Sequence, residues 1–255
     1  LALTAATDNG TDGSFPTDQQ ALLRLIELLA KHDQKASVEK FIQHLASIQN
    51  NPQNLHALAR FCLKIYHPQL RVRVGKIASQ QMHVWLGATS HPIIKTDALA
   101  IEPALALAIS RQESEFNPQA RSSANALGMM QLLPGTAKHV AKKWGIPYSY
   151  DKLFNADYNM QLGSYYLASL IEKFDGSYPL AIAAYNAGPG NVSRWLASYG
   201  PFPQDMVSQL HWIENIPFAE TRNYVQRVLE NLHVYRAMLG EKRPLTPESV
   251  LGHRT

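Results

Sequence analysis

The chain has 255 residues, 45% of them hydrophobic and 17% charged, which excludes a disordered polymer and leaves room for one or two sizeable cores. A formal charge of +4 suits an anionic partner, but there is no lysine or arginine run and no interleaving of basic with aromatic residues, so nucleic acid is not the expected one. Cys62 is the only cysteine, which removes any intramolecular disulfide and any cysteine-based metal site, and no apolar run approaches the ~20 residues of a membrane span.

In chain order, Leu1 to Ala6 reads as the tail of an earlier helix, and Thr7 to Phe15 as a polar loop. The stretch starts at Leu1 without a basic leader, so no signal peptide is read in it. Thr17 followed by Gln20 predicts a capping box ahead of Leu22, Leu23, Ile26 and Leu29. Ser37 is the expected cap of a second helix carrying Val38, Phe41, Ile42 and Leu45, which Asn50-Asn51-Pro52 ends. A third helix carries Leu55, Leu58, Cys62 and Ile65; a fourth opens at His67-Pro68 and runs to about Met82. Helix starts near 17, 36, 52 and 68 give a helix pair at about the period of tetratricopeptide-like arrays, with a plain helical bundle as the alternative. Trp85 to Pro92, WLGATSHP, is a turn-rich break and the expected domain boundary, separating 1–90 from 91–255.

Beyond it lies PALALAISRQESEFNPQARSSANALGMMQLLPGTA, Pro103 to Ala137. Leu105, Ile109 and Glu113 recur at helical intervals on one face, so Glu113 points toward the core, while Glu115 falls roughly 200° around the helix, on the solvated side. The helix is expected to stop near Asn117, because Pro118 drives the preceding residue out of helical conformation. A carboxyl in apolar surroundings holds its proton toward neutral pH, as a general acid must. Position alone favours a more ordinary role for Glu113, a helix-end salt bridge facing solvent.

Further helices are expected from Pro134 to Trp144, after Asp157 through Phe174, from Pro179 to the AYNAG turn, from Pro189 past Trp195, and from about Ala219 to Leu239. A short helix falls between 199 and 215, and strands are hard to find. The reading is all-α. Glu220 shares a face with Tyr224, Val228 and Leu232 and is expected to point inward; at a helix N-terminus its charged form is favoured, so it suits orienting a ligand, a cap contact or an ion pair with Arg222 better than proton donation. Ten histidines show no metal-ligand spacing such as HExxH, so neither a metal nor another cofactor is expected.

Three stretches carry a resemblance: RQESEFNPQARSSANALGMMQLLPGTA, AAYNAGPGNV at Ala183 to Val192, and IPFAETRNYVQRV at Ile216 to Val228. Their order and spacing resemble the soluble lytic transglycosylases, whose goose-lysozyme-like catalytic domain follows a helical superhelix. The resemblance covers roughly residues 91 to 240 and implies that 1–90 is the end of a longer solenoid. It implies cleavage of the MurNAc–GlcNAc β-1,4 bond of peptidoglycan, with formation of a 1,6-anhydro sugar by a single glutamate, Glu113, acting as acid and then as base. It assigns Ser122, Met130, Gln131, Tyr185, Asn186 and Glu220 to the sugar cleft. For Tyr185 the alternative is a core aromatic on the Leu180/Ala184 stripe. Met129 and Leu133 depart from the family's usual leucine and methionine but keep the apolar volume. The implied partner is the glycan strand, and the implied location is the periplasm or cell envelope. A goose-type lysozyme-like hydrolase and a non-catalytic cell-wall-binding scaffold are the alternatives.

Overall fold

The computed structural model describes residues 15–95 and 99–241. The helical tail expected over Leu1 to Ala6 lies outside them, as does most of the polar loop that follows. The chain divides into two compact units, Leu1–Ile93 and Ile94–Thr255.

The first unit holds α1 (Thr17–Lys31), α2 (Lys35–Ser47), α3 (Pro52–Lys64) and α4 (Pro68–Met82). Their facing stripes meet in one core that includes Ile26, Val38, Ile42, Leu45, Leu58, Cys62, Leu70 and Val74. Burial pushes the Cys62 thiol up to about 12, so it is an inert packing residue. Two expected caps do not form. Thr17 is already the first helical residue behind Pro16, and Gln20 Nε2 instead donates to the Phe15 carbonyl at 2.7 Å. Ser37 lies inside α2, because the left-handed Asp33 turns the chain out of α1 and straight into the next helix. Asn51 does cap α3, its side chain accepting from Gln53 N at 2.8 Å with Pro52 at the first helical position. WLGATSHP contains a short 3-10 helix, Gly87–Ser90.

The second unit is built around α5 (Pro103–Ser114), followed by α6 (Pro134–Lys143), α7 (Ala156–Lys173), α8 (Tyr178–Ala187), α9 (Pro189–Tyr199), α10 (Met206–Glu214) and α11 (Ala219–Met238). Every residue from Ala104 to Ser110 is buried, so α5 is enclosed on all sides rather than striped. The helix that covers it most extensively is α11. Arg236 of α11, 5% exposed, donates through Nε to Glu102 at 2.9 Å, and so ties the far end of α11 to the entry of α5. A buried pair of this kind needs both partners, since losing one strands the other's charge.

α5 ends at Ser114, three residues earlier than expected. Glu115 and Phe116 adopt left-handed conformations with φ of 54° and 66°. Phe116 is fully buried and meets the Tyr235 ring edge-on at 6.4 Å, so packing of its ring turns the chain before Pro118 forces it. Glu115 therefore lies off the helix as its half-buried C-terminal cap, not on a solvated face. No strand occurs among the described residues; the loop between α5 and α6 is braced by two isolated bridges, Arg121 with Leu127 and Leu127 with Leu132.

Candidate active site

Glu113 sits in the last turn of α5, where the enclosed helix gives way to the loop. Burial pushes its carboxyl up to about 7. A hydrogen bond from Tyr224 opposes the rise, and the negative charge of Glu220 adds to it. Tyr224 Oη donates to Glu113 Oε1 at 2.6 Å, a short charge-assisted contact when the carboxyl is ionised. The result is an acid that titrates near neutrality and is held in one orientation.

The loop carrying Gly128 to Gln131 is pinned from both sides. Ser114 Oγ donates to the Met129 carbonyl at 2.7 Å from the α5 side. On the α7 side, Asn159 is completely buried: its Nδ2 donates to the carbonyls of Leu127 and Leu153, both at 2.9 Å, and its Oδ1 accepts from Met130 N at 2.7 Å. Gly128 has φ of 78°, and a Cβ there would collide with the Leu153 carbonyl and the Asn159 amide. Glycine is thus required by both conformation and space.

Tyr185, near the end of α8, donates to the Met130 carbonyl at 2.8 Å and leans on Tyr166, ring centroids 5.3 Å apart. Burial holds the hydroxyls of Tyr185 and Tyr224 well above the usual tyrosine range, and the charge of Glu113 reinforces both. Both remain neutral donors while Glu113 changes charge. Asn186 Oδ1 accepts from Thr221 Oγ1 at 2.7 Å, joining the end of α8 to the first turn of α11 beside Glu220.

The structure thus brings Glu113, Tyr185 and Glu220 into one electrostatic neighbourhood, with the Met130 backbone carbonyl joined to it through Tyr185. Ser122 and Gln131 bond within their own loop. Ser122 Oγ accepts from Ala126 N at 3.0 Å, and Gln131 Nε2 donates to the carbonyls of Gly128 at 2.9 Å and Ala120 at 3.1 Å. Two expectations on orientation change. Met130 is fully buried with its side chain against Gly163, so it packs α7 rather than presenting an apolar cleft surface. Glu220 is exposed at the start of α11 instead of pointing inward; in that first turn it is the neighbouring Thr221 that is buried against α8, and Tyr224 one turn later.

Tyr224 is the residue that sequence reading used only to mark the face of Glu220. A polar tip on an otherwise apolar stripe of α11 was the available signal. Asn159 carried a similar one, a lone amide in the apolar face of α7.

An all-helical domain with a neutral-range glutamate over a rigid loop defines the class. Residues 91–206 match the Transglycosylase SLT domain, and residues 215–244 match the Soluble lytic transglycosylase helical domain. The first match contains Glu113 and Tyr185 and the second contains Tyr224 and Glu220. The chain belongs to the soluble lytic transglycosylase family.

The Soluble lytic murein transglycosylase of Escherichia coli K12 is 37% identical over 161 residues, which is 62% of this chain and 24% of that protein. The Membrane-bound lytic murein transglycosylase C of Edwardsiella ictaluri is 33% identical over 159 residues, 55% of this chain and 44% of that protein. Among solved structures, the 70-kDa soluble lytic transglycosylase in complex with bulgecin A superposes with a TM-score of 0.77 at 29% identity, covering 95% of this chain and 39% of that one. An inactive mutant of the lytic transglycosylase Slt from Pseudomonas aeruginosa gives 0.74 at 30% identity, with 91% and 39% covered. The chain spans about a quarter of the length of the first of these curated relatives.

Proposed function

We propose that the chain is a peptidoglycan lytic transglycosylase, a lyase cleaving the MurNAc–GlcNAc β-1,4 bond with Glu113 as its single catalytic carboxyl. The observation that carries this reading is the Glu113 carboxyl near 7, hydrogen-bonded to Tyr224 at 2.6 Å. Protonated, Glu113 gives its proton to the glycosidic oxygen; the C1–O bond breaks and its electron pair leaves with the GlcNAc hydroxyl. The neighbouring N-acetyl oxygen shares the positive charge at C1, in the substrate-assisted manner that dispenses with a second carboxylate. The muramyl 6-hydroxyl then attacks C1 and returns its proton to Glu113, closing the 1,6-anhydro ring without consuming water. Tyr224 follows the change in charge by donating to the carboxylate, and needs no rearrangement to do so.

In this reading Tyr185 and the Met130 carbonyl form the rigid wall beside the acid. Ser122, Gln131, Asn186 and Glu220 supply polar contacts to the sugars. The catalytic part is residues 91–255, and residues 1–90 form a helical-repeat segment outside the chemistry. A peptidoglycan substrate places the protein in the cell envelope, on the periplasmic side. Among the described residues no helix is long and apolar enough to cross a membrane.

Mass spectrometry of glycan strands digested by the chain tests the reaction type. Anhydro-muropeptides are the expected product. Reducing ends would make the chain a hydrolase of the same fold, and an absence of products would make it a binding scaffold. A chain starting near Ser90, confirmed as folded by circular dichroism, is expected to release the same anhydro products; a folded but inactive one would contradict this division.

A further inference from the structure

Thr221 stands in the first turn of α11 and is 2% exposed, so its hydroxyl needs a partner inside the protein. Thr221 Oγ1 donates to Asn186 Oδ1 at 2.7 Å, and among the described residues this is its side chain's one hydrogen bond. That bond has a direction. A buried hydroxyl whose hydrogen has no other acceptor must donate, so it takes the oxygen of the carboxamide and not the nitrogen. Thr221 therefore fixes which way round Asn186 stands. Asn186, half-buried near the end of α8, keeps both hydrogens of its Nδ2. Among the described residues they have no protein partner, and the nitrogen is open to solvent. Tyr185 precedes Asn186 and Glu220 precedes Thr221, and both of these neighbours lie in the field of the Glu113 carboxyl, which puts the bond beside the proposed acid.

A carboxamide free to turn over offers either a donor or an acceptor, and a sugar hydroxyl satisfies both. Held as it is here, Asn186 offers donors alone, which suits a group that can only accept. The acetamido carbonyl of an N-acetylated sugar is such a group. We infer that Thr221 is a positioning residue, which turns Asn186 so that its Nδ2 donates to an acetamido oxygen of the glycan. That the ligand is an N-acetylated glycan rests on the function proposed above; the orientation of the amide does not. Thr221 touches no sugar and acts through Asn186. A hydroxyl that only tied α8 to α11 would change the melting temperature and leave the affinity for glycan where it was.

Calorimetric titration with a tetramer of N-acetylglucosamine tests the inference, in a Glu113→Gln background so that nothing is cleaved. Thr221→Val removes the donor and keeps the branched shape, and thermal melts check its fold. Its affinity is expected to fall about tenfold, and Thr221→Ser, which keeps the hydroxyl, to bind as the background does. In Asn186→Ala, Thr221→Val is expected to cost nothing further, because the hydroxyl then has no amide to orient. No loss in Thr221→Val, an equal loss in Thr221→Ser, a loss that adds in full to that of Asn186→Ala, or no binding by Glu113→Gln itself would each overturn it. With Glu113 intact, Thr221→Val is expected to raise KM for glycan strands about tenfold at unaltered kcat; a fall in kcat alone would contradict the inference. If Thr221 proves indifferent while anhydro products still form, the positioning inference falls alone. If affinity responds as expected but digestion yields no anhydro products, the positioning of Asn186 stands and the proposed reaction is overturned.

Discussion

Tyr224 and Glu113, 111 residues apart in the chain, share a 2.6 Å hydrogen bond from the tyrosine hydroxyl to the carboxyl. It joins the two helices in most extensive contact, α5 and α11, at the point where the chemistry is proposed. Burial raises the acid and this bond lowers it, so the proton affinity of Glu113 is a balance between two features of the same interface.

That balance has a direct consequence for the pH profile. A general acid is active while protonated, so kcat/KM is expected to fall as pH rises through about 7. In Tyr224→Phe the lowering contribution is lost, and the falling limb is expected to move to higher pH. A limb that stays in place, or moves down, would show that Tyr224 does not act on this carboxyl.

The same shift predicts a cost in stability. Between the ordinary value of 4.5 and about 7 the folded state holds a proton that the unfolded state has released, so stability falls as pH rises across that window. Glu113→Gln keeps the shape and removes the charge. Its stability advantage over the parent is expected to be near zero below pH 4.5 and to reach about 3 kcal/mol above pH 8. Urea denaturation of both proteins across this range measures it, and a gap that does not change with pH would contradict the burial of the acid.

The loop under the site depends on one amide. Asn159→Ala leaves the Leu153 carbonyl and the Met130 N–H buried without their partner and takes from the Leu127 carbonyl one of its two donors, the other being Leu132 N, at a cost of about 3 kcal/mol. Gly128→Ala is expected to be at least as damaging, since it adds a collision to an unfavourable φ. Thermal melts of both variants check this, and a loss under about 1 kcal/mol in Asn159→Ala would mean that the loop is held by other contacts.

These residues also show what the sequence made legible. Pro52, Pro68, Pro103, Pro134 and Pro189 each mark a helix start, and with the apolar spacing they place most of the long helices within a few residues. α10 (Met206–Glu214) is expected only as a short helix somewhere between 199 and 215, and the 3-10 turn Asp151–Phe154 is not expected. The phase of Glu113 with Leu105 and Ile109 turns it toward the core, but position alone favours a solvent-facing salt bridge, and it is the resemblance that singles it out as the acid. The early end of α5 was not, because Phe116 is turned by a ring contact with Tyr235 from the far end of the chain. The Thr17 and Ser37 caps failed for a related reason: helices packed in a core start where packing and neighbouring turns put them, and a side-chain cap is optional. Tyr224 and Asn159 act through partners far away in sequence, which spacing alone does not reveal.

Turnover by Glu113→Gln on glycan strands, measured beside its binding to the same strands, tests the central claim most directly. Removing an acid–base catalyst typically costs ~10²–10⁴-fold, so the expected result is a loss of that size with binding retained. A variant that kept more than about a tenth of the parent rate would show that the proton comes from elsewhere.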